Sequence, residues 1–133
     1  MSQENIEIVR WAYEEFQTRK TLIAEIVTPD FVWDMSHFSG WPEATVYEGV
    51  AGARQFLEDW TAAWEDWEFA IEGMYDVGDK VVAVMRQRGR SKLSGLAVEM
   101  LLGQIWTMRD GKQSRMDMYS DPTEALRAVG LAN

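Results

Sequence analysis

The chain contains no cysteine in its 133 residues, which excludes disulfides, thiolate nucleophiles and cysteine-ligated metals. It has a single histidine, His37, and zinc centres draw on several His or Cys ligands. No acidic cluster suggests a magnesium site, so neither a metal nor any other cofactor is expected. Positive charge is scarce: 13 Lys and Arg face 22 Asp and Glu, a formal net charge of −9. That balance argues against phosphate backbones and anionic membrane surfaces as partners, so neither nucleic acid nor membrane is expected. No apolar run approaches the roughly 18 residues needed to span a bilayer. The polar start Met1-Ser2-Gln3-Glu4-Asn5 lacks the basic-then-apolar layout of a signal peptide, and a cytoplasmic location is expected. Repeats, low-complexity tracts and linkers are also missing, which leaves one domain over residues 1–133, long enough to bury a core without staples.

What is present is a large apolar complement: 47% hydrophobic residues, seven tryptophans and eight methionines. The most informative stretch is Val98–Tyr119. Its Asp110-Gly111 pair is a strong two-residue hairpin signal, because a type I′ turn needs positive φ at both central positions. Strand alternation then assigns faces. Val98, Met100, Leu102, Gln104 and Trp106 share one face, with Met116, Met118 and Ser120 across the turn. Glu99, Thr107, Arg109, Arg115 and Asp117 share the other. The first face is apolar except for Gln104 and Ser120, so a pocket lined by it offers a ligand very little acid or base.

Elsewhere, Ile6, Val9, Tyr13 and Phe16 recur at helical spacing and predict a helix over about 3–19, with Ser2 as N-cap. A short helix is expected over about 22–27, ended by Pro29-Asp30, then a strand over 31–35 and a loop over 36–47 containing Phe38 and Trp41. A helix over 49–64 buries Phe56, Leu57, Trp60, Ala63 and Trp64. Alternation of Trp67, Phe69 and Ile71 with Glu68, Ala70 and Glu72 marks a half-buried strand. A turn at Val77-Gly78-Asp79-Lys80 leads to a strand over 81–90, with Val81, Ala83, Met85 and Gln87 inward. Arg86, Arg88 and Arg90 then face outward, in a cross-strand charge ladder with Glu68, Glu72, Glu99 and Asp117. An anion site on the three arginines is the other reading. Asp121 as N-cap, Pro122 at the first position and Glu124 at the third open a last helix, which Gly130 closes. Helices ahead of an antiparallel meander predict an α+β domain in which a curved, mostly antiparallel sheet wraps the N-terminal helices as a cone-shaped barrel with an apolar cavity.

Three segments resemble the SnoaL-like, polyketide-cyclase-type group of the nuclear-transport-factor-2-like (ketosteroid-isomerase-like) superfamily. They are Glu4-Asn5-Ile6-Glu7-Ile8-Val9-Arg10 with Tyr13-Glu14-Glu15-Phe16, then Tyr47-Glu48-Gly49-Val50-Ala51-Gly52, and Ile105-Trp106-Thr107-Met108-Arg109-Asp110-Gly111-Lys112. The resemblance implies the fold and, for many members, a homodimer through the outer sheet face. It does not fix a function, because the architecture hosts cyclases, isomerases, dehydratases, epoxide hydrolases and non-catalytic binders. It also allows a comparison by position. The aspartate that cyclases and epoxide hydrolases of this type keep on the last strand aligns with Met118. The hydrogen-bonding acid of the isomerases aligns with Gln104, and their base with about Met35. A thioether cannot transfer a proton, and an amide donates hydrogen bonds without titrating.

Candidate chemistry therefore rests on other residues. Asp34 and His37, three apart near the first strand's end, would suit an Asp-oriented His base, or else a chain turn and a loop histidine. Tyr13 can offer a hydroxyl to a substrate oxygen, or serve as a core tyrosine. Tryptophan and methionine together make adaptable walls for flat apolar molecules. Trp33, Met35, Trp60, Trp64 and Met85 are the candidates from the first half. Met100, Gln104, Trp106, Met116 and Met118 are those from the hairpin. The expected function is binding of a small hydrophobic or polycyclic molecule in a deep apolar pocket, with isomerisation, cyclisation or elimination through Asp34, His37 or Tyr13. The alternatives are a non-catalytic accessory binder, with Gln104 as orienting donor, or an epoxide-hydrolase-like enzyme with altered site residues.

Overall fold

The computed structural model describes residues 2–19, 24–39 and 45–131. Helix α1 (Ser2–Arg19) is followed by a 3-10 turn (Ala24–Ile26), strand β1 (Val27–His37), the short β2 (Val46–Glu48) and helix α2 (Gly49–Ala62). Four long strands then run as a meander: β3 (Trp64–Val77), β4 (Lys80–Ser91), β5 (Ala97–Arg109) and β6 (Lys112–Tyr119). Helix α3 (Pro122–Ala128) closes the described chain.

All six strands form one sheet in the order β2-β1-β6-β5-β4-β3. Every pairing is antiparallel except β1 with β6, which is parallel. The sheet curves without closing, so β2 and β3 remain as edges where a barrel would have none. Its concave face carries Phe31, Trp33, Met35, Val81, Ala83, Met85, Leu102, Trp106, Met116 and Met118, which join Val9 and Tyr13 of α1 and Phe56 and Trp60 of α2 in one buried core. On the outer face α3 packs Ala125 against Val82 and Ile105. That approach needs Gly103, since a Cβ there would lie 2.6 Å from the Ala125 Cβ.

The turn chemistry follows the residues. Asp110 and Gly111 have φ of 52° and 76°, the double positive φ of the type I′ hairpin. The Asp121 side chain accepts a hydrogen bond from the Thr123 amide ahead of Pro122, and Gly130 sits at φ 82° after the last helix. Arg86 pairs with Glu72 and Glu99, and Arg88 with Glu68, which is the outer charge ladder. Arg90 instead donates to the Gly95 carbonyl, and Asp117 pairs with Arg115.

Several boundaries differ from the sequence expectation. The helix expected over 22–27 is a single 3-10 turn where described, with Leu22 and Ile23 outside the described residues. Pro29 and Asp30 lie inside β1 rather than ending a helix. The chain can place proline there because the β1–β6 register slips between Val27 and Val32, so no ladder bond needs its missing N–H. Strand β1 runs on to His37, and the expected loop contains β2, while Trp41 lies outside the described residues. The N-cap assigned to Ser2 likewise falls on a side chain outside the description. Trp64 opens β3 instead of closing α2. Asp66, at φ 55°, marks the bulge that turns the chain into that strand.

Candidate functional site

Helices α1 and α2 cover the concave face and leave a cavity of about 60 Å³ between themselves and the sheet. Ala12, Tyr13 and Phe16 of α1 and Phe56, Leu57 and Trp60 of α2 form one side of its wall. The sheet supplies Trp33, Trp67, Phe69, Met85, Trp106 and Met118, together with Gln87, Gln104 and Gln113. The rings are mutually packed: Trp33 stacks on Phe56 at 4.5 Å between centroids, and Trp106 stands edge-on to Trp33 at 5.8 Å. Phe16, Leu57, Trp67 and Phe69 are only partly buried and mark the mouth.

Polar groups in this wall are uncharged and mostly consumed by one another. The Tyr13 hydroxyl donates to Gln104 Oε1 and accepts from Trp106 Nε1–H at 2.8 Å. Burial pushes the Tyr13 hydroxyl far above its ordinary range, and the Trp106 hydrogen bond offsets only part of that, so the phenol stays protonated. Gln104 Nε2 reaches only the Met118 thioether, at 3.6 Å. On the other side, Gln87 Oε1 accepts both the Trp60 and Trp67 indole N–H groups, at 3.1 and 2.9 Å. Its Nε2 donates to the Met85 sulfur at 2.9 Å.

Gln113 is a wall residue that alternation alone misses. Counting back from inward Met118 and Met116 puts position 113 with Arg115 and Asp117 on the outer face. The β5–β6 ladder, however, pairs Thr107 with Arg115 and Met108 with Gln113, so Ser114 is an extra residue, a β-bulge. The Ser114 hydroxyl is spent on the Thr107 carbonyl at 3.0 Å, and Gln113 turns inward, 1% exposed. Neither its Oε1 nor its Nε2 has a partner, nor has the buried Nε1 of Trp33. A glutamine two residues beyond the Asp-Gly pair, followed by Ser, is the only sequence trace of this.

Of the other expected site residues, Tyr13, Trp33, Trp60, Met85, Gln104, Trp106 and Met118 meet at the cavity. Met35 and Met116 are buried in the same core but do not line it, and Met100 packs at its periphery. Trp64 touches Trp60 at 5.9 Å yet also stands outside the lining, because it belongs to the start of β3. Asp34 and His37 are on the opposite side of the sheet. Trp33 and Met35 point inward, so Asp34 between them points out, where Arg115 bridges it and Asp117 at 2.5 and 3.0 Å. The register of β1 on β6 slips after Asp34, which brings His37 flat against Tyr119 at 4.4 Å. Among the described residues, no group of three or more His, Asp or Glu side chains is arranged to hold a metal ion.

Burial acts to raise the Asp34 carboxyl, but hydrogen bonds from Ser36 and the charges of Arg115 and His37 outweigh it and hold it below the ordinary value of 3.8. A carboxylate with a depressed folded pKa stabilises the protein above its unfolded value, and that contribution is lost as pH falls through the folded one. Asp34→Asn should therefore lower the urea midpoint at pH 7 and shrink the gap between the pH 7 and pH 3 midpoints. An unchanged gap would assign the acid sensitivity to other carboxylates.

Comparison with known proteins gives a consistent picture. The family model described as the SnoaL-like domain matches residues 9–116. No curated protein matches the chain. Among solved structures, TerC co-crystallised with polyporic acid is 25% identical, with a TM-score of 0.73 over 95% of this chain and 98% of that one. An NTF2-like protein of unknown function from Burkholderia pseudomallei has a TM-score of 0.76 at 18% identity, covering 96% and 98% of the two chains. A putative SnoaL-like polyketide cyclase from Jannaschia sp. has a TM-score of 0.72 at 21% identity, covering 99% and 95%. No described helix is long and apolar enough to cross a membrane.

Proposed function

The chain belongs to the family of SnoaL-like domains, and from that premise we propose that it binds a small, uncharged, largely aromatic molecule in the cavity between its helices and sheet, without acid–base turnover by the cavity groups. The observation that carries this reading is the composition of the wall. Among the described residues it holds no carboxylate, imidazole, amine or guanidinium, and its one titratable side chain, Tyr13, is protonated and engaged at both its donor and its acceptor. By the resemblance, the base of the isomerases falls at about Met35, and the acids fall at Gln104 in the isomerases and at Met118 in the cyclases and epoxide hydrolases. Gln104 and Met118 line the cavity, paired across β5 and β6. The groups that could replace them, Asp34 and His37, face away. Small-molecule binding also agrees with the TerC structure, which was obtained with polyporic acid.

The cavity of about 60 Å³ is smaller than the ~150 Å³ that holds a benzene ring in an apolar protein interior. It does not hold a polycyclic molecule without rearrangement, so entry requires displacement at the mouth, where Phe16, Leu57 and Trp67 are partly exposed. Titration with toluene, followed through the tryptophan indole N–H signals by NMR, tests the reading. Saturable shifts concentrated on Trp33, Trp60 and Trp106 are expected. Absence of a saturable shift up to the solubility limit of toluene, or shifts scattered away from these indoles, would overturn it.

A further inference from the structure

Buried polar atoms without partners are rare, because each forfeits its water without compensation. Among the described residues lining the cavity, those atoms are both amide atoms of Gln113 and the indole Nε1 of Trp33. They contrast with the other wall amides. Gln87 Oε1 already accepts two indoles, and Gln104 Oε1 accepts the Tyr13 hydroxyl. A ligand arriving there would have to break an existing bond to make a new one. At Gln113 it breaks none.

Resting on the ligand-binding reading above, we propose that Gln113, with the Trp33 N–H on the neighbouring strand as a second donor, is the polar anchor of the cavity, and that the ligand is an uncharged aromatic molecule carrying a hydroxyl or carbonyl group. Gln113 offers two donor hydrogens and one acceptor, and Trp33 one donor. A hydroxyl can both accept from and donate to the amide, while a carbonyl can accept from the amide or from the indole. A carboxylate is disfavoured, because no cationic side chain among the described residues lines the cavity and a buried unpaired anion is far costlier than a buried hydroxyl. The built position agrees with this role. The Ser114 bulge lies on β6, and its effect is to turn the Gln113 side chain into the wall of the cavity.

The test compares phenol with toluene, a pair of nearly equal shape, by NMR titration of the wild-type protein, Gln113→Leu and Trp33→Phe. Gln113→Leu removes the unpartnered amide and fills the same space with apolar atoms, so the fold is retained. Gln113→Met serves as a second variant of the same kind. The ratio of phenol to toluene affinity should fall at least about tenfold in both Gln113 variants, the scale of a hydrogen bond to an otherwise unsatisfied buried group. A smaller fall in the same direction is expected for Trp33→Phe. If both compounds bind and the ratio is unchanged in the Gln113 variants, the amide is held by ordered water and the anchor is wrong, while the cavity remains a ligand site. If neither compound binds the wild-type protein, the binding reading itself fails, and the anchor with it.

Discussion

Tyr13→Phe should cost about 2–4 kcal/mol of folding stability, although it removes one oxygen atom and leaves the ring in place. The hydroxyl joins Gln104 and Trp106, and Tyr13, Gln104 and Trp106 are 9%, 3% and 4% exposed. Its loss strands the Gln104 carbonyl and the Trp106 N–H together, each worth about 1–3 kcal/mol when buried without a partner. Adding Gln104→Leu to Tyr13→Phe should recover part of the loss, because one of the stranded groups then disappears. A double-mutant cycle from denaturant midpoints measures this coupling directly. A single-variant cost under ~0.5 kcal/mol would mean that water reaches the trio.

Met118→Asp should be the more damaging change at neutral pH. Met118 is 1% exposed and lines the cavity. Truncating a buried Met alone costs about 2–5 kcal/mol. The introduced carboxyl would add its own desolvation, with no cation in the wall to offset it. Burial raises a carboxyl pKa, so the sign of the pH effect is fixed. The folded state would bind a proton that the unfolded state releases, and the variant would be least stable at pH 7 and recover as pH falls towards 5. Its loss of toluene binding should follow the same profile. A variant as stable at pH 7 as at pH 5, with affinity intact, would show that Met118 swings out of the wall.

The fold was legible mainly where local chemistry and burial agree. Asp110-Gly111 demanded one turn type, and the register read from it put Gln104, Trp106, Met116 and Met118 on the buried face. Tyr13 could be placed because a helix with period 3.6 has only one stripe to bury. Asp34 shows a conflict visible within the sequence itself. Trp33 and Met35 were both assigned inward, and strand alternation then leaves Asp34 facing out, so a wall site and an Asp34 catalyst were incompatible. His37 and Gln113 were unreadable for a shared reason. Each follows or precedes a one-residue slip in register, and no propensity marks where a strand takes up an extra residue. The short β2 and the 3-10 turn are similarly set by what they dock against rather than by their own sequence.

An uncharged wall also separates two kinds of proton bookkeeping in this protein. Asp34, held by Arg115, couples protons to folding on the outer face of the sheet, whereas the cavity groups among the described residues neither take up nor release one at ordinary pH. Occupancy by a neutral ligand is thereby unlinked from acidity. Between the protonation of Asp34 at low pH and the distant ionisation of Tyr13, the proposed binding predicts an affinity that stays level while the protein's charge and stability change. The two faces of one sheet answer to different chemical potentials.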